Sequence, residues 1–256
     1  MSQEKKRILE EFTKQADSYA NSAVIAAEQA RLGFMLFVEP HSTDRVLDVA
    51  TGPGFLALIF AEKTEEVVGI DLTPAMLERA ETNRLKRKLN NLRFQEGDAE
   101  SLPFPDCSFD IVTCGSAFHH FPDTHHVLNE MSRVAKKNGK IAILDIITSE
   151  NPEKAELHNQ LERWRDPSHT RNLSLSEFKL LFERAGLQNI RTARYDTPRE
   201  LNEWFEISRS PPDVRERVQK AFIDSIPGDS TGLNVHLQGE HVSFTHTFAW
   251  IVGSKS

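Results

Sequence analysis

The 256-residue sequence predicts an α/β fold, a mostly parallel sheet with helices on both faces and an antiparallel strand at its end. Between residues 45 and 147 short apolar runs alternate with amphipathic stretches, the rhythm of parallel strands joined by helical crossovers. Residues 46–57, VLDVATGPGFLA, join one such run to a glycine-bearing turn and then to a helix. That order lets an α/β protein bring its backbone close to a ligand. The C-terminal stretch alternates apolar and polar residues, as an antiparallel hairpin does.

Helical patterning covers residues 3–38, with a break expected at Asp17-Ser-Tyr-Ala-Asn21. Strands are predicted near 45–50, 66–71, 92–97, 108–114 and 139–147, and helices near 54–63, 74–89 and 123–137. Thr73 is expected to cap the second of these helices, with Pro74 at the first helical position, where a missing N–H costs nothing. Past residue 148 the rhythm changes. Residues 151–165 read as an inserted helix with Leu157, Leu161 and Trp164 on one face. Ser174-Leu-Ser-Glu177 is a capping box, and Leu173 and Phe178 have the spacing of a hydrophobic staple. Phe178, Leu181, Phe182 and Ala185 then form a buried stripe, which Gly186 ends. A strand near 188–196 precedes a second helical insertion over 198–224, interrupted at Pro211-Pro212. Leu233, Val235 and Leu237, then Val242, Phe244, Phe248 and Trp250 after Gly239-Glu240, predict a hairpin with one buried face.

Composition narrows the function classes. A formal net charge of −7 disfavours a nucleic-acid surface, which needs a concentrated positive field. The basic run Arg84, Lys86, Arg87, Lys88 reads as the solvated end of a helix. Two cysteines, Cys107 and Cys114, lack metal-ligand spacing and make a disulfide framework unlikely to be needed, so a reducing, cytoplasmic setting is expected. No long apolar stretch suggests a membrane span or a leader segment.

The glycine turn taken alone is ambiguous. Gly52-Pro53-Gly54-Phe55-Leu56-Ala57 fits G-x-G-x-x-A, and Asp71 closes the next apolar run at the separation of a ribose-binding acid. Taken literally, that is a dinucleotide fingerprint. Asp48 argues otherwise: inside the strand before the turn it would repel a pyrophosphate and welcome an ammonium. Gly97-Asp98-Ala99-Glu100 adds further acid after the third strand. Asp48, Asp71, Asp98 and the segment 115–120 all fall at carboxyl ends of predicted strands, where such sheets bind ligands. S-adenosylmethionine, which has an ammonium, a sulfonium and a ribose diol but no phosphate, suits these carboxylates.

Asp48-Val-Ala-Thr-Gly-Pro-Gly54, Gly69-Ile-Asp71, Gly97-Asp98-Ala-Glu100, Leu102-Pro-Phe-Pro-Asp106, Phe109-Asp110 and Arg133-Val-Ala-Lys-Lys-Asn-Gly139 follow one another as in class I S-adenosylmethionine-dependent methyltransferases. The chain resembles their small-molecule branch, which includes the ubiquinone/menaquinone-biosynthesis C-methyltransferases. The motifs cover roughly residues 45–147, and Arg165-Asp-Pro-Ser-His169 through Leu175-Ser-Glu177 is similar to a subgroup of bacterial methyltransferases. One departure is Ala50, where the family most often has glycine.

The resemblance implies a Rossmann-like class I methyltransferase fold in a single domain over 1–256: a helical lid over 1–40, a cofactor-binding half over 41–148 and a substrate-side half over 149–256. It implies that Asp48 and the turn of Ala50, Thr51, Gly52 and Gly54 hold the methionine part of S-adenosylmethionine. Asp71 would take the ribose hydroxyls, Leu72 and Met76 would pack near the adenine, and Asp98 with the amide of Ala99 would meet its edge. Gly115 and Ser116 complete the expected cofactor contacts. Turn and cap chemistry are the plain readings of Asp48 and Asp98, and helix core that of Met76. Phe12 and Tyr19 resemble the family's N-terminal segment that closes over the cofactor, with simple helix packing as the other reading.

Methyl transfer from a sulfonium needs alignment, exclusion of water and, for many acceptors, removal of a proton. His119 and His120, after the fourth strand, are the base candidates, since imidazole titrates near working pH. Either could instead fix its loop by hydrogen bonds. His125 and His126 complete an HHxxxxHH pattern, but a first-turn helix position without Cys, Asp or Glu partners argues against a metal, and none is expected. Trp164, Arg165, His169 and Arg171 fall in the first insertion, the expected roof of the acceptor pocket, where surface salt bridges are the commoner use of arginine. His246 reads as a satisfied core histidine. The leading function is methylation of a small molecule at carbon, oxygen or nitrogen, by a monomer or homodimer. The rivals are an NAD(P)-dependent oxidoreductase and a non-catalytic S-adenosylmethionine-binding regulator.

Overall fold

Five apolar runs make the parallel part of the sheet. In the computed structural model, which describes residues 2–21 and 28–256, these are β1 (Arg45–Val49), β2 (Glu66–Asp71), β3 (Leu92–Glu96), β4 (Phe109–Gly115) and β5 (Ala135–Ile147). They lie in the order β3-β2-β1-β4-β5, every neighbouring pair parallel. Val46, Leu47, Val67, Val68, Ile111 and Val112 are wholly buried, as inner strands covered on both faces must be.

The period-2 alternation of side chains sorts these residues onto two faces. On one, Leu47, Val49, Val112 and Cys114 pack with α5 (Thr124–Val134) and α7 (Leu175–Arg184). On the other, Val46, Val67 and Ile111 pack with α2 (Glu28–Val38) and α3 (Phe55–Ala61). α4 (Pro74–Arg87) begins with proline as expected, but the Thr73 side chain makes no cap, because its hydroxyl and N–H are both turned to Asp71. α1 (Gln3–Asn21) is helical through the expected break, for Ile8, Phe12, Ala16 and Tyr19 keep one continuous inward face past residue 17.

The substrate-side half is built as the patterning suggests, with three differences. α6 (Pro152–Arg165), α8 (Leu201–Ser208) and α9 (Pro212–Ser225) enclose a third core of Leu161, Trp204, Phe205, Val218, Phe222 and Phe244. The Ser174 capping box is intact, its hydroxyl accepting from Glu177 N–H at 3.3 Å and its own N–H donating to Glu177 Oε2 at 2.8 Å. β6 (Gln188–Glu200) runs beyond residue 196 and carries Pro198, which an edge strand tolerates. The hairpin arm β7 (His236–Gln238) is only three residues and exposed, and Leu233 and Val235 are buried before it begins. β8 (His241–Ser254) lies antiparallel between β5 and β6 and is buried on both faces, Ala249 and Ile251 in one core and Val252 in the other. A strand inserted between neighbours has no solvent face, and this is why the one-face reading fails. Among the described residues no helix is long and apolar enough to cross a membrane.

Candidate active site

The carboxyl ends of β1, β2 and β4 and the loop after β3 converge on a cavity of about 250 Å³, roofed by α1 and closed on the far side by α6, α8 and β8. Every residue predicted to contact the cofactor or act as base lines it except Gly54, whereas of the expected roof Trp164, Arg165, His169 and Arg171 only Arg165 does. Gly54 stands at φ +81° where an added Cβ would meet the Phe94 ring at 2.7 Å and Ala80 at 3.1 Å. A glycine here lets α3 start against β3 and α4.

Asp48 is a buried carboxylate in the cavity wall. Its Oδ2 accepts from the Thr51 hydroxyl at 2.6 Å, while Oδ1 is buried without a partner. Burial pushes the carboxyl up to about 7 against the Thr51 hydroxyl and the Ala57 N–H; the nearby Asp71 adds to the rise and the Arg31 charge offsets only part of it. A cation at Oδ1 would restore its charge; a pyrophosphate would worsen the repulsion. The residues therefore fit the ammonium of S-adenosylmethionine and not a dinucleotide. Ala50 adopts φ +53°, the left-handed region, at a cost of about 1 kcal/mol, which is the physical reason glycine is usual there.

Asp71 and Asp98 already have work within the protein. Asp71 Oδ2 accepts Gly52 N–H and Oδ1 accepts Thr73 N–H, both at 2.8 Å, tying the glycine turn to the start of α4. Burial raises its carboxyl against these bonds. Asp98 Oδ1 accepts Glu100 N–H at 3.0 Å, and its Oδ2 pairs with Lys5 of α1 at 2.5 Å. Lys5 also pairs with Glu100 at 2.5 Å, so α1 is latched to the rim where the adenine is expected. Met76 is both core and lining, 1% exposed yet at the cavity wall. Phe12 stacks edge-on against Tyr19 at 5.6 Å and His120 at 4.8 Å, so the α1 aromatics meet the catalytic candidates directly.

The two histidines, in a single 3-10 turn, are distinguished by their partners. His119 Nδ1 lies 2.6 Å from Asp145 Oδ1, a carboxylate wholly buried in β5. Burial pushes the imidazole down, but the charge and hydrogen bond of Asp145 overcome it and leave His119 raised. His120 Nδ1 contacts the Ser168 carbonyl at 3.1 Å, and burial followed by the charge of His119 pushes it down to about 4. Both also fix loops, as the His119 carbonyl accepts from Thr170 and Arg171 and that of His120 from the Thr170 hydroxyl. Asp145 was legible only as an acid interrupting the apolar run ILDII.

The far side departs further from expectation. Arg165 is no surface residue: it is buried, bonded to Glu162 Oε2 at 2.9 Å and seated over the Trp204 ring at 4.5 Å. Arg171 does make the expected surface pair, with Glu177. Trp164 carries Arg217 on its ring face, and His169 is held by Asn159 at 3.1 Å. His246 is buried as expected, and its Nε2 lies 3.4 Å from Glu162 Oε1, an ion-pair contact short of hydrogen-bond geometry. His125 and His126 are exposed at the start of α5, where His126 Nε2 meets the Glu100 carbonyl at 2.8 Å. Arg84, Lys86, Arg87 and Lys88 form the last turn and cap of α4 as read.

A family model described as a methyltransferase domain matches residues 40–206. The chain is 38% identical over 247 residues to the uncharacterized methyltransferase YcgJ of Bacillus subtilis, a match covering 95% of this chain and 97% of that protein. The crystal structure of YcgJ superposes with a TM-score of 0.83 at 34% identity, over 89% of this chain and 98% of that one. A putative methyltransferase of Bacillus halodurans gives the same TM-score at 28% identity, over 89% and 99%. Demethylmenaquinone methyltransferase of Deinococcus radiodurans is 45% identical over 107 residues, 41% of this chain and 44% of that protein. With the buried Asp48 carboxylate at one end of the cavity and the motif order along its rim, these likenesses decide against the oxidoreductase reading: the chain belongs to the methyltransferase-domain family, as a class I methyltransferase that uses S-adenosylmethionine.

Proposed function

We propose that this methyltransferase acts on a largely apolar, hydroxylated ring compound, with His119 as general base. The observation that carries the reading is that the His119–Asp145 pair opens onto the same cavity as the unpartnered oxygen of Asp48. When bound, S-adenosylmethionine supplies a methyl carbon already activated by its sulfonium. Asp48 would hold the ammonium, and Asp71 and Asp98 the ribose and adenine. Lys5 latches the lid that keeps water out. His119, positioned by Asp145, would take the hydroxyl proton as the acceptor oxygen attacks, and the arrangement of base and orienting carboxylate is what such a step requires.

The class of acceptor rests on the walls. Leu144, Ile146, Tyr195, Trp204, Ile207 and Phe248 line the acceptor side, a surface for a flat apolar body with few polar groups. Relatives named for such acceptors include a demethylmenaquinone methyltransferase and a 27-O-demethylrifamycin SV methyltransferase of Amycolatopsis mediterranei. Two free cysteines suit a reducing cytoplasm. The test is a panel of hydroquinones and naphthols incubated with radiolabelled donor. Methylation lost in His119→Asn with S-adenosylhomocysteine affinity kept supports the base assignment. Donor binding without turnover on any acceptor of this class would favour the regulator, which the His119–Asp145 pair argues against.

A further inference from the structure

Three donor groups far apart in sequence face one another at the acceptor end of the cavity. His158 and Glu162 stand one turn apart on α6, and His246 reaches them from β8. All three are no more than 2% exposed, and their donor atoms lie within 4.8 Å of one another. His246 Nε2 is 3.4 Å and His158 Nε2 3.7 Å from Glu162 Oε1. Neither pair meets full hydrogen-bond geometry, so these loose ion-pair contacts are what Glu162 Oε1 and the His246 Nε2 have, and His246 Nδ1 has no hydrogen bond. His158 Nε2 has only the Asn172 amide at 3.5 Å, the outer limit of such a contact.

Leaving such atoms without full hydrogen bonds costs up to about 1–3 kcal/mol each, so the arrangement has a reason only if something satisfies them together. The separations identify what. Bonds of about 2.0–2.1 Å around a tetrahedral cation place neighbouring ligand atoms about 3.3–3.4 Å apart, close to the two distances seen. Arg165 binds the other oxygen, Oε2, at 2.9 Å and so orients the carboxylate with Oε1 toward the imidazoles, as outer partners of metal ligands do.

The geometry points to a divalent transition cation, of the zinc type, held by His158, Glu162 and His246. Two imidazoles and one carboxylate are the donor set such ions prefer. Glu162 and His246 line the cavity whereas His158 does not, so the remaining coordination position opens onto the acceptor space. There the cation takes an oxygen of the acceptor and anchors it, a role that rests on the methyltransferase reading above. The exposed pair His125 and His126 stands elsewhere and has no part in it.

The test uses the full chain stripped with chelator, then titrated calorimetrically with zinc chloride and, separately, with cobalt chloride, with no donor or acceptor present. One equivalent bound, with the intense visible absorption of four-coordinate cobalt, is expected. His158→Gln and His246→Gln should each weaken binding by about a hundredfold or more, since outer-shell partners alone are worth 10- to 100-fold. His125→Gln/His126→Gln should bind as wild type. Wild-type protein that takes up no stoichiometric ion, or cobalt protein with only the pale six-coordinate spectrum, overturns the proposal; so do His158 and His246 variants that bind undiminished. The cobalt spectrum is read on the unsubstituted chain, so a variant that fails to fold leaves the test decisive. Loss of the metal with S-adenosylhomocysteine binding and methylation intact would remove the cation and leave the methyltransferase reading standing.

Discussion

Replacing Asp145 by asparagine isolates the charge behind the proposed base. In the native chain the 2.6 Å contact with Asp145 outweighs burial and leaves His119 above its usual value near 6.5. His120, its neighbour in the same turn, has no carboxylate in hydrogen-bond contact, and burial with the charge of His119 pushes it down to about 4 despite the nearby Asp166. Asp145→Asn should therefore move His119 toward the value of its neighbour. A hydrogen bond to a charged group is worth about 1.5–3 kcal/mol. Losing it from the imidazolium that forms as the proton is taken should slow turnover about 10- to 150-fold. His119 must be neutral to act, so native kcat/KM falls as pH drops through a value above 6.5. In the variant that limb moves to lower pH while the plateau sinks. Nitrogen-15 NMR of labelled histidine reads the same shift without an acceptor. Folding adds a second check. A histidine raised on folding stabilises fully below its unfolded value, near 6.5, and loses that stabilisation as pH rises through its raised value. The stability gap between native and variant protein in urea should thus be widest at mildly acid pH and close above it. An unmoved imidazole titration, or a variant with native kcat/KM, would refute the dyad.

Asp48, pushed up to about 7, is ionised only above that pH, so S-adenosylhomocysteine affinity should fall by up to about tenfold per unit below it, and Asp48→Asn should flatten the profile; calorimetry across mildly acid to mildly alkaline buffers decides. Gly54→Ala must place a Cβ 2.7 Å from the Phe94 ring at a left-handed φ, costing about 2–5 kcal/mol in urea unfolding from strain and overpacking together. Lys5→Ala removes the latch on Asp98 and Glu100, and stopped-flow release of S-adenosylhomocysteine should quicken about fivefold, the worth of about 1 kcal/mol for a part-buried pair at the rim. Ser174→Ala breaks the capping box and should cost about 1 kcal/mol, read from the shift in urea midpoint.

The parallel half of the fold was legible because its cues are local. Strand periodicity, the turn at Gly52 and the proline at the head of α4 need only a few neighbouring residues to act. The rim carboxylates were legible for the same reason, since the end of a strand is visible in sequence and topology places all such ends together. What escaped depends on contacts between distant segments. Thr73 looked like a cap until Asp71 was seen to claim its hydroxyl. β8 looked half-exposed because alternation cannot reveal that a strand will be inserted between β5 and β6. Arg165 looked like a surface cation, and only the fold brings Glu162 and the Trp204 ring to cover it. His158, Glu162 and His246 meet because α6 packs against the end of β8, a neighbourhood no spacing rule encodes.

The two ends of the cavity are electrically unlike, and that difference gives the reaction a direction. At the donor end Asp48, Asp71, Asp98 and Glu100 outnumber Lys5 and Arg31, leaving an excess of negative charge. At the acceptor end Glu162 meets Arg165 and Glu203 meets Arg199, so before any cation binds the side chains of that wall nearly balance in charge. A positively charged donor is drawn to the first end, and an apolar acceptor loses little by desolvation at the second. When a hydroxyl is methylated, the positive charge leaves sulfur and a proton is released in the same buried space. As the proposed base, His119 would receive that proton without any new charge being desolvated unaided, because Asp145 stands 2.6 Å behind it. The positive charge then sits on a protein group that can pass it to solvent, while the spent donor has lost its sulfonium and with it part of its attraction to the rim. Binding, proton removal and release thus draw on one uneven distribution of carboxylates along the ends of the strands.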